Sequence, residues 1–463
     1  MAKIPMTKDL LMQYTLIALF FIALLSYYIY GLESLVICLI SVGVALGCDI
    51  LMSMVMGSKG SSNKMSAIVF GLIVALSYSL GLTPGMMYDP ALVPPILNGG
   101  LEQYLYPALI SAVGLIVFKK LQGLSGRKYV NPAAVAKLLI LGLLFMPVMS
   151  TLYNTSALLP ADHDSLVALQ NPMVADDMGL YKWIYPDGSY PLMDKVPFAA
   201  TLLSCYSNNA SLGYFVTIGE VEDPLPAVLD VMLLGKYHGW IGGFSSIIVM
   251  AVGIALFLVA RDYFKWRITA AYLVSTAVIS VVMSGIFGGD ILLRMLFHLF
   301  MGSSIFLAFF MATDPATTPM TRLGQIIFGV GLGVLTVLIQ TYTGFLGGSI
   351  LALVIMNLTC PVLDRIGLPK PSSTRVKVKL PKTKQLQETM PTDCMRCGKC
   401  LTACSMNLAP IVIKEAADKN NWTKVEKLGA TYCNACGFCS LVCPARIDLK
   451  AAVTAAKEKI ESM

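Results

Sequence analysis

The sequence predicts an all-α protein: a polytopic membrane domain of about ten transmembrane helices, followed by a small α-helical domain at the C-terminus. Three observations carry this. The 463 residues are 56% hydrophobic and only 13% charged, with a mean hydropathy of +0.71, whereas average globular domains carry about 25% charged residues. Apolar runs of the length a bilayer demands, about 20 residues, recur along the first 363 positions. Eight of the twelve cysteines then crowd into residues 394–444.

Ten spans can be drawn, at roughly 12–30, 33–55, 65–86, 102–118, 131–149, 238–260, 268–287, 289–311, 324–342 and 346–363. Met1–Lys8 has no cleavage site after the apolar stretch it precedes, which reads as a retained first span rather than a signal peptide. An even number of crossings puts both termini on one side. Basic residues choose that side. Lys59 and Lys64, then Lys119, Lys120, Arg127 and Lys128, then Arg261, Lys265 and Arg267 all fall in loops assigned inside. The loop at 150–237 falls outside and is acidic, with ten Asp or Glu against three Lys. The net charge of +7 therefore reports membrane orientation and not nucleic-acid binding.

The chain divides accordingly. Residues 1–363 form the membrane domain, with 150–237 as its extracytoplasmic loop. Residues 364–392 are a basic, Pro-rich linker suited to an anionic leaflet, and 393–463 form the cysteine-rich domain. Within the last, residues 408–430 read as helical, with Ile411, Val412, Ala416, Ala417, Trp422, Val425 and Leu428 on the apolar face.

The clustered cysteines run Cys394-x-x-Cys397-x-x-Cys400-x-x-x-Cys404 and Cys433-x-x-Cys436-x-x-Cys439-x-x-x-Cys443-Pro444. Three thiolates at every third residue can wrap one iron–sulfur cube, while the fourth points away to a second cube. The pattern predicts two 4Fe–4S clusters: Cys394, Cys397, Cys400 and Cys443 on one, and Cys433, Cys436, Cys439 and Cys404 on the other. Disulfides between cysteines so spaced would be strained, and structural zinc favours two C-x-x-C knuckles rather than two triple runs. Intact thiolates imply a reducing compartment, so this domain faces the cytoplasm, as the charge asymmetry also requires. The scattered Cys38, Cys48, Cys205 and Cys360 read as small buried hydrophobes.

Ionisable residues inside spans are costly and point to function. Asp49 lies in the second span; Asp290, Arg294 and His298 share a face of the eighth. That constellation reads either as a local pair holding helices together or as part of an ion path. The stretch Met311-Ala-Thr-Asp314-Pro315-Ala-Thr317-Thr318-Pro319-Met320-Thr321 breaks the helix. It reads as an ordinary cytoplasmic turn or as a polar lining for a ligand, since irregular backbone at membrane depth needs protein or a cavity beside it.

With that stretch the chain resembles the RnfD component of the Rnf complex and its relative NqrB, from the sodium-pumping NADH:quinone reductase. Further matches are Ser66-Ala67, Asn131-Pro132-Ala133, Gly239-x-Ile241-Gly242 with Ser245, and Asn357-Leu-x-x-Pro361-x-x-Asp364-Arg365, and together they cover residues 1–366. The tail, from Cys394-Met-Arg-Cys397 to Cys443-Pro-Ala-Arg-Ile-Asp-Leu449, resembles the ferredoxin-like part of the RnfC component. The nucleotide-binding and FMN portion of that component has no counterpart here.

The resemblance implies flavin. Members of the family carry FMN joined through phosphate to a threonine of the outer loop, and the nearest match is Asp194-Lys-Val-Pro-Phe198-Ala-Ala200-Thr201-Leu202. It departs from the family motif by one extra residue and by Phe198 where glycine is expected. A second, non-covalent flavin, FMN or riboflavin, is implied near Asn131 and Asp314. The family's glutamate after Gly242 is Gly243 here.

The function so implied is that of an electron-transfer subunit in an Rnf-like ion-translocating oxidoreductase complex. Electrons would pass between cytoplasmic clusters and membrane flavin, coupled to Na⁺ or H⁺ transport. With no visible nicotinamide site, the chain alone would not be a complete enzyme. Its partners would be other membrane and cytoplasmic Rnf-like subunits, a ferredoxin or NADH-oxidising flavoprotein, and the lipid bilayer of a prokaryotic cytoplasmic membrane. The alternatives are a stand-alone conduit to an extracytoplasmic flavoprotein or quinone that pumps no ion, and a transporter regulated by its cluster domain.

Overall fold

Helices before residue 364 and after residue 392 account for most of the computed structural model. It describes residues 7–56, 63–78, 102–124, 128–140, 233, 240–261, 263–287, 291–300, 304–343, 348–372 and 392–462. Thr201, Cys205, Gly239 and Asp290 lie outside the described residues, as does the whole of 150–237 except Leu233. No β-strand occurs among the described residues.

In the membrane half, α1 is Lys8–Tyr30, α2 Leu32–Met56, α3 Lys64–Leu76 and α4 Glu102–Val113. A π-helical stretch, Gly114–Leu121, prolongs α4. Then come α5 Pro132–Leu138, α6 Ser246–Val259, α7 Trp266–Phe287, α8 Ile291–Phe300, α9 Arg322–Thr343 and α10 Gly348–Leu363. A helix thus falls within each of the ten predicted spans. Among the described residues, five are long and apolar enough to cross a bilayer, or six if the bent pair Arg294–Phe300 and Ser304–Met311 is one broken span rather than a re-entrant loop. The α3, α6 and α10 helices are apolar but shorter. Large apolar side chains such as Leu39, Met54 and Leu258 are exposed on the outer helices, as lipid contact requires and water does not favour.

Local chemistry sets the helix ends. The hydroxyl of Thr7 caps α1 by accepting from Leu10 N, and Gly31, at φ +70°, closes it. The side chain of Asn131 caps α5, whose first residue is proline. Helices α7 and α9 pack closely along their length. There Gly329 and Gly333 lie against backbone carbonyls of Ile268 and Tyr272, a small-x-x-x-small approach that lets apolar helices touch where no hydrophobic effect drives them together.

The C-terminal half contains α11 Lys399–Ala403, α12 Pro410–Asp418, α13 Trp422–Lys427, α14 Phe438–Leu441 and α15 Leu449–Glu461. The 408–430 segment is helical, as two helices. Asn420 takes a left-handed φ of +54°, and the Asn421 side chain caps α13 through Lys424 N. Met406, Leu408, Ile413, Ala416, Val425, Ala430, Val453 and Ala456 pack into a core. Each cysteine run follows one plan: a loop, a short helix, then a longer helix that begins soon after its fourth cysteine.

Candidate metal centres and their contact with the membrane half

The two cysteine loops share one backbone conformation. Arg396 and Ala435, each one residue before the second cysteine, both have φ +55°, and Gly398 and Gly437, just after it, have φ +75° and +79°. Left-handed residues curl the backbone so that amides face inward. Arg396 N donates to Cys394 Sγ at 3.3 Å, and Ala435 N to Cys433 Sγ at 3.4 Å. Such N–H···S bonds stabilise thiolate sulfur.

Cys394, Cys397, Cys400 and Cys443 line one cavity, together with Met395, Ile411, Ile447 and Leu449. Cys404, Cys433, Cys436 and Cys439 line a second, with Met406, Leu408 and Val453. The fourth cysteine of each run therefore reaches the cavity of the other. Four thiols, inward amides and an apolar wall suit a 4Fe–4S cluster. Among the described residues no trio of His, Cys, Asp or Glu closes on a single metal ion, and the ligands of a multi-atom cluster stand further apart. Burial pushes the Cys394 and Cys439 thiols up to about 11 and holds Cys400 well above the usual thiol range. A metal bound by these sulfurs would supply the drive for their deprotonation.

The first of these cavities abuts the membrane half. Met320 packs with Cys400, Leu401, Ala409, Ile411 and Leu449. Met395 packs with Leu11, Ala260 and Tyr263, and Lys399 Nζ lies 5.6 Å over the Tyr263 ring. Backbone bonds add to this: Lys8 N donates to Pro444 O at 3.1 Å and Ser372 N to Met406 O at 2.9 Å. The start of α1, the end of α6, the loop before α7, the turn before α9 and the segment after α10 thus share one face with the tail.

The 311–321 stretch is irregular but satisfied. A π-helical turn, Leu307–Met311, precedes it, and Thr269 Oγ1 donates to the Ala308 carbonyl at 2.6 Å. Asp314 accepts from Ala316 N and from the Thr317 hydroxyl. Lys265 Nζ reaches Pro315 O, Thr318 O and Thr318 Oγ1 at 2.8–2.9 Å. Cys360 Sγ, Gln325 Nε2 and Asp364 Oδ1 meet Thr317 O, Pro319 O and Met320 N. Burial lowers the Lys265 ammonium to about 8, against the partial support of Asp364 and Asp314.

Of the residues implied for flavin, Asn131 and Asp314 meet at one carbonyl: Asn131 Nδ2 and Asp314 N both donate to Met311 O. Asn131 Oδ1 also accepts from Ala133 N and Ala134 N, so its side chain joins α5 to the turn. In the membrane half Asp49 pairs with Lys120 at 2.7 Å. Arg294 and His298 are both buried, and His298 Nδ1 lies 2.7 Å from Gln340 Oε1. Cys38 and Cys360 are buried and Cys48 is half-buried. Gly329-x-x-x-Gly333 is legible as a helix-packing signal. Arg396 as an interdomain residue has no local signature.

Fold and site define a helical membrane protein that carries iron–sulfur centres at one end and serves electron transport. Comparison with protein families gives the particular one: residues 3–88 and 91–373 match the NQR2, RnfD, RnfE family, and residues 393–447 match the 4Fe-4S dicluster domain. The chain belongs to the NQR2, RnfD, RnfE family. Its relatives include the D component of the Na(+)-translocating ferredoxin:NAD(+) oxidoreductase complex of Acetobacterium woodii. The two are 24% identical over 360 residues, which cover 77% of this chain and 87% of the relative. The D component of the proton-translocating ferredoxin:NAD(+) oxidoreductase complex of Clostridium ljungdahlii is 36% identical over 152 residues, or 32% of this chain and 44% of the relative's length. The D component of an ion-translocating oxidoreductase complex of Aeromonas salmonicida is 29% identical over 311 residues, with 64% and 81% covered.

Proposed function

We propose that this chain is the electron-transfer subunit of an Rnf-like, ion-translocating oxidoreductase complex, with its tail and both termini on the cytoplasmic side of a prokaryotic cytoplasmic membrane. The observation that carries the reading is the contact between the Cys394–Cys400 loop and the Pro315–Thr321 turn of the membrane half. It gives an electron held in the tail a short way into the bilayer.

In this reading the domains are 1–363, 364–392 and 393–463, and about ten helices cross the membrane. Cys394, Cys397, Cys400 and Cys443 hold the cluster nearer the membrane, and Cys433, Cys436, Cys439 and Cys404 the outer one. Bound there, the clusters supply one-electron transfer. The protein supplies inward amides, apolar walls that exclude water, and fixed spacing. Asn131 and Asp314 border the site of a non-covalent FMN or riboflavin, and Thr201 carries FMN through phosphate. Partner subunits supply the nicotinamide or ferredoxin chemistry, as the names of the relatives indicate for those proteins.

Anaerobically purified protein should contain about eight iron atoms per chain, the content of two cubes; far fewer overturns the ligand assignment. Intact-mass analysis should find added FMN, lost in Thr201→Ala; unchanged flavin in that variant rejects the attachment site. In vesicles with a reduced ferredoxin or NADH-oxidising partner, electron flow should drive Na⁺ or H⁺ uptake. Flow without uptake would favour the non-pumping conduit.

A further inference from the structure

The two cysteine loops are near copies, and one difference between them is informative. Ala435 occupies the left-handed position in the second loop, and Arg396 occupies the same position in the first. A methyl group therefore suffices for this turn and for its amide-to-sulfur bond. The guanidinium of Arg396 serves something else.

It is buried, and it faces the membrane half. Arg396 Nη2 donates to Asp364 Oδ2 at 2.9 Å, and Nη1 donates to Glu415 Oε1 at 2.6 Å. Asp364 stands just past the end of α10 and Glu415 on α12. The other oxygen of Asp364 accepts from Met320 N at 2.8 Å. One carboxylate thus holds both the turn that closes the membrane half and the loop of the nearer cysteine cavity. The Met320 carbonyl lies against Gly398 of that same loop.

We propose that Arg396 and Asp364 are positioning residues. Their buried ion pair sets the register of the nearer cluster against the 315–321 turn, and through local charge it tunes that cluster's reduction potential. The proposal rests on the electron-transfer reading above for its consequence, but not for its test. A cluster's potential follows the net charge and hydrogen bonding around its sulfurs. Arg396→Ala removes the positive charge beside Asp364 and Glu415 and should lower the potential of the nearer cluster. Asp364→Asn removes a negative charge while keeping the shape, and should raise it. Opposite shifts from the two halves of one pair are not produced by loosened packing alone.

The experiment uses the full chain, purified without oxygen in detergent. Iron content and both cluster spectra should persist in Arg396→Ala, as Ala435 implies, while redox titration followed by electron paramagnetic resonance shows the two opposite shifts for one cluster only. Hydrogen exchange across residues 318–321 should quicken in both variants by roughly tenfold or more, because a broken buried pair opens its interface locally. Unchanged potentials and unchanged exchange overturn the proposal; so does loss of the nearer cluster in Arg396→Ala, which would make the arginine a building element of the site. If the wild type passes no electron to a flavin, the functional reading fails. The potentials and exchange rates still decide the role of the pair.

Discussion

The carbonyl oxygen of Met320 approaches Gly398 so closely that a Cβ there would stand 2.7 Å from it. Gly398 also has φ +75°, a conformation that costs a residue with a side chain about 1–2 kcal/mol. Gly398→Ala meets both penalties, and the obstacle is backbone on the membrane half. The expected outcome is a tail that keeps its iron but separates from the 315–321 turn. Hydrogen exchange at residues 318–321, measured beside iron content, checks it.

The crossing of the fourth cysteines makes a counter-intuitive prediction. Cys443 belongs to the second run in sequence but lines the first cavity, and Cys404 does the reverse. Cys443→Ser should therefore alter the spectrum of the cluster nearer the membrane, whose potential responds to Asp364→Asn. Cys404→Ser should alter the other. Spectra assigned by that pairing test it, and the opposite assignment would show that each run holds its own cube.

Lys265 predicts a pH dependence. Burial lowers its ammonium to about 8 from an ordinary 10.5, so the unfolded chain binds more protons between those values and stability rises with pH across that window. Below about pH 8 the cost of burying the charge is fully present. Lys265→Met lacks that contribution and leaves Pro315 O and Thr318 O without their donor, at about 1–3 kcal/mol for each buried acceptor left unsatisfied. The variant should be less stable at pH 7, and the gap should widen from pH 8 towards 10.5 in thermal unfolding followed in detergent.

Gly329 and Gly333 set the distance between α7 and α9. A Cβ at Gly329 would lie 2.6 Å from Ile268 O, and one at Gly333 2.8 Å from Tyr272 O. Leucine at either position should cost about 1–3 kcal/mol or more through overpacking. Alanine at exposed Gly285, which has nothing near its missing Cβ, should be close to neutral. Melting temperatures of the three variants in one detergent provide the comparison.

Much of this is legible in the residues. Cluster ligation is local: a cube needs three thiolates within seven residues and a fourth from the neighbouring run, so spacing alone encodes it. Apolar length is also local, and each of the ten predicted spans contains helix. The break between α12 and α13 is not legible, because apolar positions of one face continue through Asn420–Asn421 while backbone conformation does not. The bend between α8 and the π-turn at Leu307–Met311 lies equally beyond periodicity. In that π-turn the Ala308 carbonyl accepts from another helix, through the Thr269 hydroxyl of α7.

The amino-acid order established the family, the helical character and the eight thiols, because each is written in short-range pattern. Where the tail sits was settled by three-dimensional packing alone. Asp364, Met320 and Arg396 lie dozens of residues apart and carry no shared motif. They meet because α9 and α10 return the chain to the face where α1 begins, and there the buried carboxylate of Asp364 takes both the Met320 amide of the turn and the Arg396 guanidinium of the cysteine loop.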